Sequence, residues 1–348
     1  MVYRARDLSG PMVHRARDLS GPMVHRARGS SGSWMDRARG WIGLVDGSGS
    51  WMDRAGLTCV SNSSNKKANM NFLQNHQIMP GDQIRLDDIE TVSKGPFEGK
   101  KDAREFTADI NQEIRDLQYR LFVEGKRSLL IVLQAPDAAG KDGLIRKVLG
   151  QMNPQGCRTY PFKSPTREEL DHDFLWRVHQ CTPARGQVSI FNRSHYEDVL
   201  IVRVEDLVPK SVWKHRYEII NSFEQNLVAN GTTLLKFYLH ISKEEQLSRF
   251  EKRLENPEKH WKLNIADYTV RERWDEYREA YQDVFQKCNH QDAPWFVIPA
   301  DNKWYRDAAV AGITRDTLRA MDPQMPAVEV DLDEIHQCYE RELQKAER

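Results

Sequence analysis

Residues Leu129–Gly143 read LLIVLQAPDAAGKDG, and the fold follows from this stretch. Leu129 to Leu133 is an aliphatic run too short for a helix of its own and suited to a buried strand. Pro136, two alanines (Ala138 and Ala139) and Gly140 then turn the chain, and Lys141, Asp142 and Gly143 lead into LIRKVLGQM, which has helical spacing. Strand, small-residue loop, lysine and helix in that order form a phosphate-binding loop. The cause is electrostatic. Free N–H groups at the helix start converge, the helix dipole favours negative charge there, and Lys141 adds a full positive charge. The pattern G-x-x-x-x-G-K-[ST] is met imperfectly, with Ala135 at the first glycine and Asp142 at the Ser/Thr position. An ordinary strand-to-helix turn is the plain alternative. It gives no reason for a lysine and two aspartates, Asp137 and Asp142, crowded among small residues.

Bulk properties set the limits. Hydrophobic residues at 39% and charged residues at 29% describe a globular chain, and at 348 residues it holds one large domain or two small ones. Basic and acidic residues balance at 51 each, so a polyanion-binding surface must come from local segregation of charge. The five cysteines (Cys59, Cys157, Cys181, Cys288, Cys338) are odd in number, and no pair has metal or redox spacing. A reducing, cytoplasmic setting is expected. No apolar run approaches the ~20 residues that span a bilayer, and the N-terminus has no apolar signal region. Neither a membrane nor a nucleic-acid partner is expected.

The first stretch stands apart. MVYRARDLSGP is followed by MVHRARDLSGP and MVHRARGSSGS, and GSWMDRA occurs twice. Residues 1–70 read as repetitive sequence, either disordered or added in cloning, with a basic polyanion-binding arm as the competing reading. Ordered sequence is expected from Ile84. Helix is expected over Lys101–Glu124, strand at CRTYPFK, helix over residues 166–180 with Thr166 as N-cap, and strand at QVSIFN. Helix is next expected from Ser211 to Asn230, strand at TTLLKFYLHIS, helices over residues 242–254 and 267–287, strand at WFVIP, and a closing helix over Trp304–Met321. The organisation expected is one domain over 84–325 with a lid-like segment at about 243–287, then a helical tail over 326–348. Alternating strands and helices give an α/β fold, a five-stranded parallel sheet flanked by helices, with ligands at the carboxyl ends of its strands.

Three further stretches bear on chemistry. FNRSHYEDVL places Arg193, His195, Glu197 and Asp198 just past a strand beside the phosphate loop. An acidic residue there suits a magnesium ligand, and Arg193 suits a transferring phosphoryl group. A solvated polar loop is the alternative, and His195 alone reads more readily as structural. In KEEQLSRFEKRLENPEKHWK, Arg249 and Arg253 share a helix face, and Lys259 and Lys262 follow after Pro257. This is lid-like by its place in the strand order. Lys163 and Arg167 flank the Pro165 turn after the second strand and Arg177 lies on the following helix, a region where a mononucleotide kinase contacts its acceptor. Asp301, Asn302 and Lys303 either approach a base or cap the last helix. Trp274, Tyr277 and Tyr281 fit core packing.

APDAAGKDG, FKSPTREELDHDFLWR, IFNRSHYEDVL and WFVIPADNKW, in this order over Ile84–Met321, resemble the polyphosphate kinase 2 family, with HDFLWR and FNRSHYED most like its class III branch. The resemblance implies a P-loop kinase fold similar to thymidylate kinase and a helical lid. It implies transfer of phosphoryl groups from inorganic polyphosphate to AMP and ADP, giving ADP and ATP, with magnesium (manganese as the alternative ion). Asp137 and Lys141 match the family's loop residues, Arg193 and Asp198 its Walker B-like pair, and Arg249, Arg253, Lys259 and Lys262 its lid cations. Asp137 and Asp198 are the metal ligands so implied. Ala138, Ala139, Gly140, Asp142, Gly143, Lys163, Arg177 and Glu197 join the lid cations as expected phosphate or nucleotide contacts. Ala135 departs from the glycine often found at the loop start. The family also suggests a dimer or tetramer. An ATP-dependent nucleoside monophosphate kinase shares these features and differs in donor. A non-catalytic P-loop binding protein would not need the acidic pair.

Overall fold

The computed structural model describes residues 72–346, so the repetitive segment read at 1–70 lies outside the described residues. Elements follow in the order α1 (Phe72–His76), α2 (Lys100–Glu124), β1 (Ser128–Gln134), α3 (Lys141–Lys147), β2 (Cys157–Pro161), α4 (Arg167–Leu170), α5 (Trp176–His179) and β3 (Val188–Asn192). The second half runs α6 (Ile201–Val204), α7 (Lys210–Ala229), β4 (Thr232–His240), α8 (Lys243–Leu254), α9 (Ile265–Glu272), α10 (Trp274–Lys287), β5 (Trp295–Pro299), α11 (Lys303–Met321) and α12 (Leu332–Ala346). Among the described residues no helix is long and apolar enough to cross a membrane.

The strands form one parallel sheet in the order β2-β3-β1-β4-β5. β1 is buried along its whole length, as expected of a central strand covered on both faces. Its side chains alternate between two cores. Leu129, Ile131 and Leu133 join the core that holds Leu144 of α3 and Val310 of α11. Leu130 and Val132 join the core that holds Ile220 of α7 and Phe285 of α10. The connection after β1 therefore packs on one face, and those after β3 and β4 pack on the other. Adjacent strands whose connections part in this way leave a crevice at their carboxyl ends. β1 has such a neighbour on each side, so crevices flank its end.

Three expectations need correction. Packed chain begins upstream of Ile84. Phe72 is fully buried, with ring centroids 6.3 Å from Phe97 and 5.9 Å from Phe106, and Gly312 of α11 makes room for it. The helix expected over 166–180 is two short ones. The Thr166–Glu169 capping box forms as expected, but the Asp173 side chain accepts from the Leu175 amide at 2.9 Å and restarts the turn. The helix expected over 267–287 starts earlier, with Asn264 accepting from the Ala266 amide, and breaks at Arg273.

Candidate active site

The phosphate loop leaves β1 at Ala135 and enters α3 at Lys141. Ala138 (φ 62°) and Gly140 (φ 101°) are left-handed. For alanine that conformation stores of order 1 kcal/mol, and such strain concentrates at functional sites. At Gly140 an added Cβ would also press on the Arg306 guanidinium, which would have to shift.

The loop carbonyls are gripped from behind. Gln246 Nε2 donates to Asp137 O at 3.0 Å. Arg249 Nη1 donates to Ala138 O and Ala139 O at 2.9 and 2.7 Å, while its Nη2 reaches Ala300 O and Asp301 O. Arg306 Nη1 adds a bond to Ala139 O at 2.9 Å. Arg249 is therefore a buried brace and not the phosphate contact expected of it. Its five donors fit a cluster of carbonyls as well as they fit a phosphate. Arg306 was not anticipated, since nothing in the small-residue pattern of α11 marks it.

In front of the loop, Asp137 Oδ1 accepts from Arg193 Nη2 at 2.7 Å. Arg193 is itself left-handed (φ 63°), with its amide bonded to Leu133 O at the end of β1. Burial works against the Arg193 charge, but Glu197 and Asp137 outweigh it and raise its pKa. Lys141 Nζ donates to Ala135 O at 2.8 Å. Burial, then Arg193, lowers the Lys141 pKa against the pull of Asp137, Glu197 and Asp142.

The Asp137–Arg193 pair borders two crevices. The first, about 420 Å³, is lined by the loop and first turn of α3 from Gly140 to Gly143, with Ala138, Pro161, Phe162, Lys163, Asn192, Arg253 and Lys262 around them. Lys262 Nζ is 3.0 Å from Asp142 Oδ2, and Asn192 Nδ2 donates to Asp142 Oδ1 at 3.1 Å. These partners, Lys262 foremost, outweigh burial and keep the Asp142 carboxyl below its ordinary pKa. The second, about 200 Å³, lies on the β4 side and is lined by Ile201, Tyr238, Val270, Trp274, Tyr277 and Tyr281, together with Glu197 and the start of the phosphate loop, Ala135, Pro136 and Asp137.

Some expected residues lie elsewhere. Asp198 lines neither crevice. Its Oδ1 accepts from Arg216 Nη1 at 2.9 Å, and burial lifts its pKa to about 6 against that partner. The metal pair Asp137 and Asp198 is thus not brought together. The 3-10 turn over residues 195–199 directs Glu197 to the crevice and its neighbour Asp198 away. Arg177 lines neither crevice and props the wall. Its Nη1 donates to Lys163 O at 2.9 Å and its guanidinium lies 5.5 Å from the Phe162 ring centroid. Lys259 is exposed and lines neither. Asp301 is taken up by the Ser242 amide and Thr91, and Asn302 by Ser93 O.

Among the described residues no group of three or more His, Cys, Asp or Glu side chains could hold a metal ion. Magnesium needs no such group, since it takes one or two carboxylates plus substrate phosphates and water in place of a protein cage. Asp137 is a carboxylate partly exposed between the crevices.

The comparisons point one way. A family model described as polyphosphate kinase 2 matches residues 98–326. The AMP/ADP-polyphosphate phosphotransferase of Meiothermus ruber is 46% identical over 264 residues, 76% of this chain and 99% of that protein. The ADP-polyphosphate phosphotransferase of Rhodopseudomonas palustris is 40% identical, over 71% of this chain and 89% of its own length. The crystal structure of polyphosphate kinase 2 from Arthrobacter aurescens TC1 superposes with a TM-score of 0.75 at 39% identity, covering 78% of this chain and 97% of that one.

Proposed function

The chain belongs to the polyphosphate kinase 2 family, and from that premise we propose that it transfers phosphoryl groups reversibly from inorganic polyphosphate to AMP and ADP, giving ADP and ATP. The observation that carries the proposal is the 46% identity to the Meiothermus ruber enzyme over 99% of that protein's length. The Asp137–Arg193 pair, which borders both crevices, and Lys141, which lines the one of about 420 Å³, support it.

The chemistry needs little from a base. A nucleotide phosphate has a second pKa of ~6 and is already an anion at neutral pH. One of its oxygens attacks the terminal phosphorus of the polyphosphate. A P–O bond to the nucleotide forms, the bridging P–O bond breaks, and the shortened chain leaves with the electron pair. The barrier is repulsion between two polyanions. Lys141, Arg193 and the amides opening α3 offset that charge in a preorganised site. Asp137 holds Arg193 in position. α8 anchors the lid to the loop through Gln246 and Arg249, so the lid can exclude water and limit hydrolysis. Phosphotransferases of this family generally use a divalent metal. Magnesium is the ion proposed here, with Asp137 as its protein ligand, and when bound it would neutralise phosphate charge.

The test is direct. Purified protein, magnesium, long-chain polyphosphate and AMP, with no ATP, should yield ADP and then ATP. Turnover of AMP only when ATP is supplied would replace polyphosphate by ATP as donor. A dimer or tetramer in a cytoplasmic setting belongs to the same proposal, and light scattering on the purified chain checks the oligomer.

A further inference from the structure

The last helix, α12, lies outside the residues that the family model matches, and none of its residues is buried. Its sequence, LDEIHQCYERELQKA, carries two stripes. Leu332, Ile335, Tyr339 and Leu343 recur at helical spacing and form an apolar face, each between 40 and 63% exposed. Met325, Val328 and Val330 extend the exposed apolar surface upstream. A helix of this length is marginal in water unless its apolar face is packed.

The second stripe identifies the cover. Asp331, Glu334, Cys338, Arg341 and Lys345 follow one another at steps of three, four, three and four, so they line one flank of the apolar face. In order they are acid, acid, thiol, base, base. Reversed, that order is its own complement. Two copies of α12 laid antiparallel about Cys338 bring Asp331 opposite Lys345 of the partner subunit and Glu334 opposite Arg341 of the partner subunit, twice over by symmetry. Laid parallel, the same flank sets like charges side by side. Antiparallel helices also bring opposite dipole ends together.

Within one chain these groups are lightly held. Lys345 pairs with Glu342 at 2.7 Å, both exposed, and such a surface pair contributes little. Arg341 Nη2 donates to Cys338 Sγ at 3.0 Å. Asp331 Oδ1 caps the helix by accepting from the Asp333 and Glu334 amides at 2.9 and 3.1 Å, which leaves its other oxygen for a cation.

We infer that α12 is a self-recognition element, its apolar face covered by α12 of a second copy of this chain, antiparallel, with Cys338 beside the twofold axis. This goes beyond the functional reading and does not depend on it. It names a surface through which copies assemble.

Sedimentation equilibrium of the full chain tests it. Ile335→Asp, on the apolar face, should halve the mass of the assembly at equal concentration. Glu334→Arg and Arg341→Glu should each weaken association about tenfold or more, since each sets like charges opposite one another. The two reversals combined in one chain should bring association back to within about threefold of wild type. Bismaleimidoethane should join two wild-type copies and no copies of Cys338→Ser. All these side chains are exposed, so the melting of the domain should not move, and circular dichroism checks that. A monomeric wild type, single reversals without effect, a double reversal no better than the singles, or a wild type that does not cross-link overturns the inference. A monomer that floats with phosphatidylcholine vesicles would assign the face to a lipid surface, and a monomer whose α12 amides resist hydrogen exchange would assign it to the chain's own domain. If the wild-type protein takes no phosphate from polyphosphate, the functional reading fails and these masses still decide the role of α12.

Discussion

Lys141 and Lys236 are both buried lysines beside the same sheet, and they are held in opposite ways. Lys236, on β4, is wholly buried and fills every N–H. Its Nζ donates to Glu224 Oε2 at 2.6 Å, to Cys288 O at 2.8 Å and to the Tyr196 hydroxyl at 3.1 Å. Tyr196 and His195 bond the other Glu224 oxygen, at 2.6 and 3.2 Å. Lys141 has a bond to Ala135 O and, among the described residues, no carboxylate within 4.0 Å. An ammonium with its donors filled holds a structure together. One left mostly unfilled at the mouth of a crevice is poised for an anion. Lys236 is therefore expected to serve stability and Lys141, on the function proposed above, turnover.

The largest effect should come from the filled lysine. Lys236→Ala leaves Glu224 as a buried charge without its cation, which costs about 3–5 kcal/mol. Urea unfolding followed by circular dichroism should show this loss, and the fraction that remains folded should keep turnover within about fivefold. A variant with wild-type stability and collapsed turnover would exchange the roles of the two lysines. Lys236→Met with Glu224→Gln should recover part of the lost stability, because it removes both buried charges together.

Lys141→Ala should do the reverse. Turnover should fall about a hundredfold or more, equivalent to about 2.7 kcal/mol of transition-state stabilisation. Stability should not fall with it. The Lys141 pKa is lower in the fold than in the unfolded chain, chiefly through burial. A base shifted this way carries a penalty at neutral pH that fades as pH rises from its folded to its unfolded value. Removing it therefore lifts a small burden. Steady-state rates and thermal melting of one preparation check both halves.

pH should pull the two lysines apart. On the alkaline side, turnover should fall at a pKa below the ordinary lysine value of 10.5, as Lys141 loses its proton. On the acid side, stability should fail in two stages. Burial lowers the His195 pKa below 6.5, so its contribution is complete above 6.5 and is lost as pH falls below it. Burial opposes the Glu224 charge, but Lys236 and His195 outweigh it and hold its pKa at about 2. Its contribution is present above 4.5 and is lost as pH falls toward 2. Matched pH profiles of rate and of unfolding free energy test this. An alkaline limb unmoved in Lys141→Arg would assign it to another group.

How much of this could be read in the chain depends on how local each feature is. Leu129–Gly143 was legible because the strand, the turn residues and the lysine lie within one short stretch. The lid could be placed by strand order. The division of labour within it could not. Arg249 reaches across 110 residues to Ala139 O, and no spacing in KEEQLSRFEKRL reports that contact. Glu197 and Asp198 are neighbours with the same charge, and only the 3-10 turn decides which faces the crevice. Tyr277 and Tyr281 were read as core residues. Tyr281 is indeed buried, but both also wall a crevice, and composition does not separate the two uses.

The smallest effect tests the same principle on the lid, where Lys259 and Lys262 occupy one 3-10 turn (Pro257–Lys262) and look equivalent in the chain. Lys262 lines the crevice of about 420 Å³ beside the phosphate loop, 3.0 Å from Asp142, whereas Lys259 is exposed and lies outside it. A surface charge outside the crevice is screened within ~8 Å at physiological salt. Lys262→Ala should raise the KM for polyphosphate about fivefold at low salt and less at high salt, with the KM for AMP unchanged. Lys259→Ala should leave both within about twofold. Equal effects would mean that polyphosphate senses the lid as a diffuse positive field. Unequal effects would mean that it lies in a groove, where an ammonium contributes only if it lines the path.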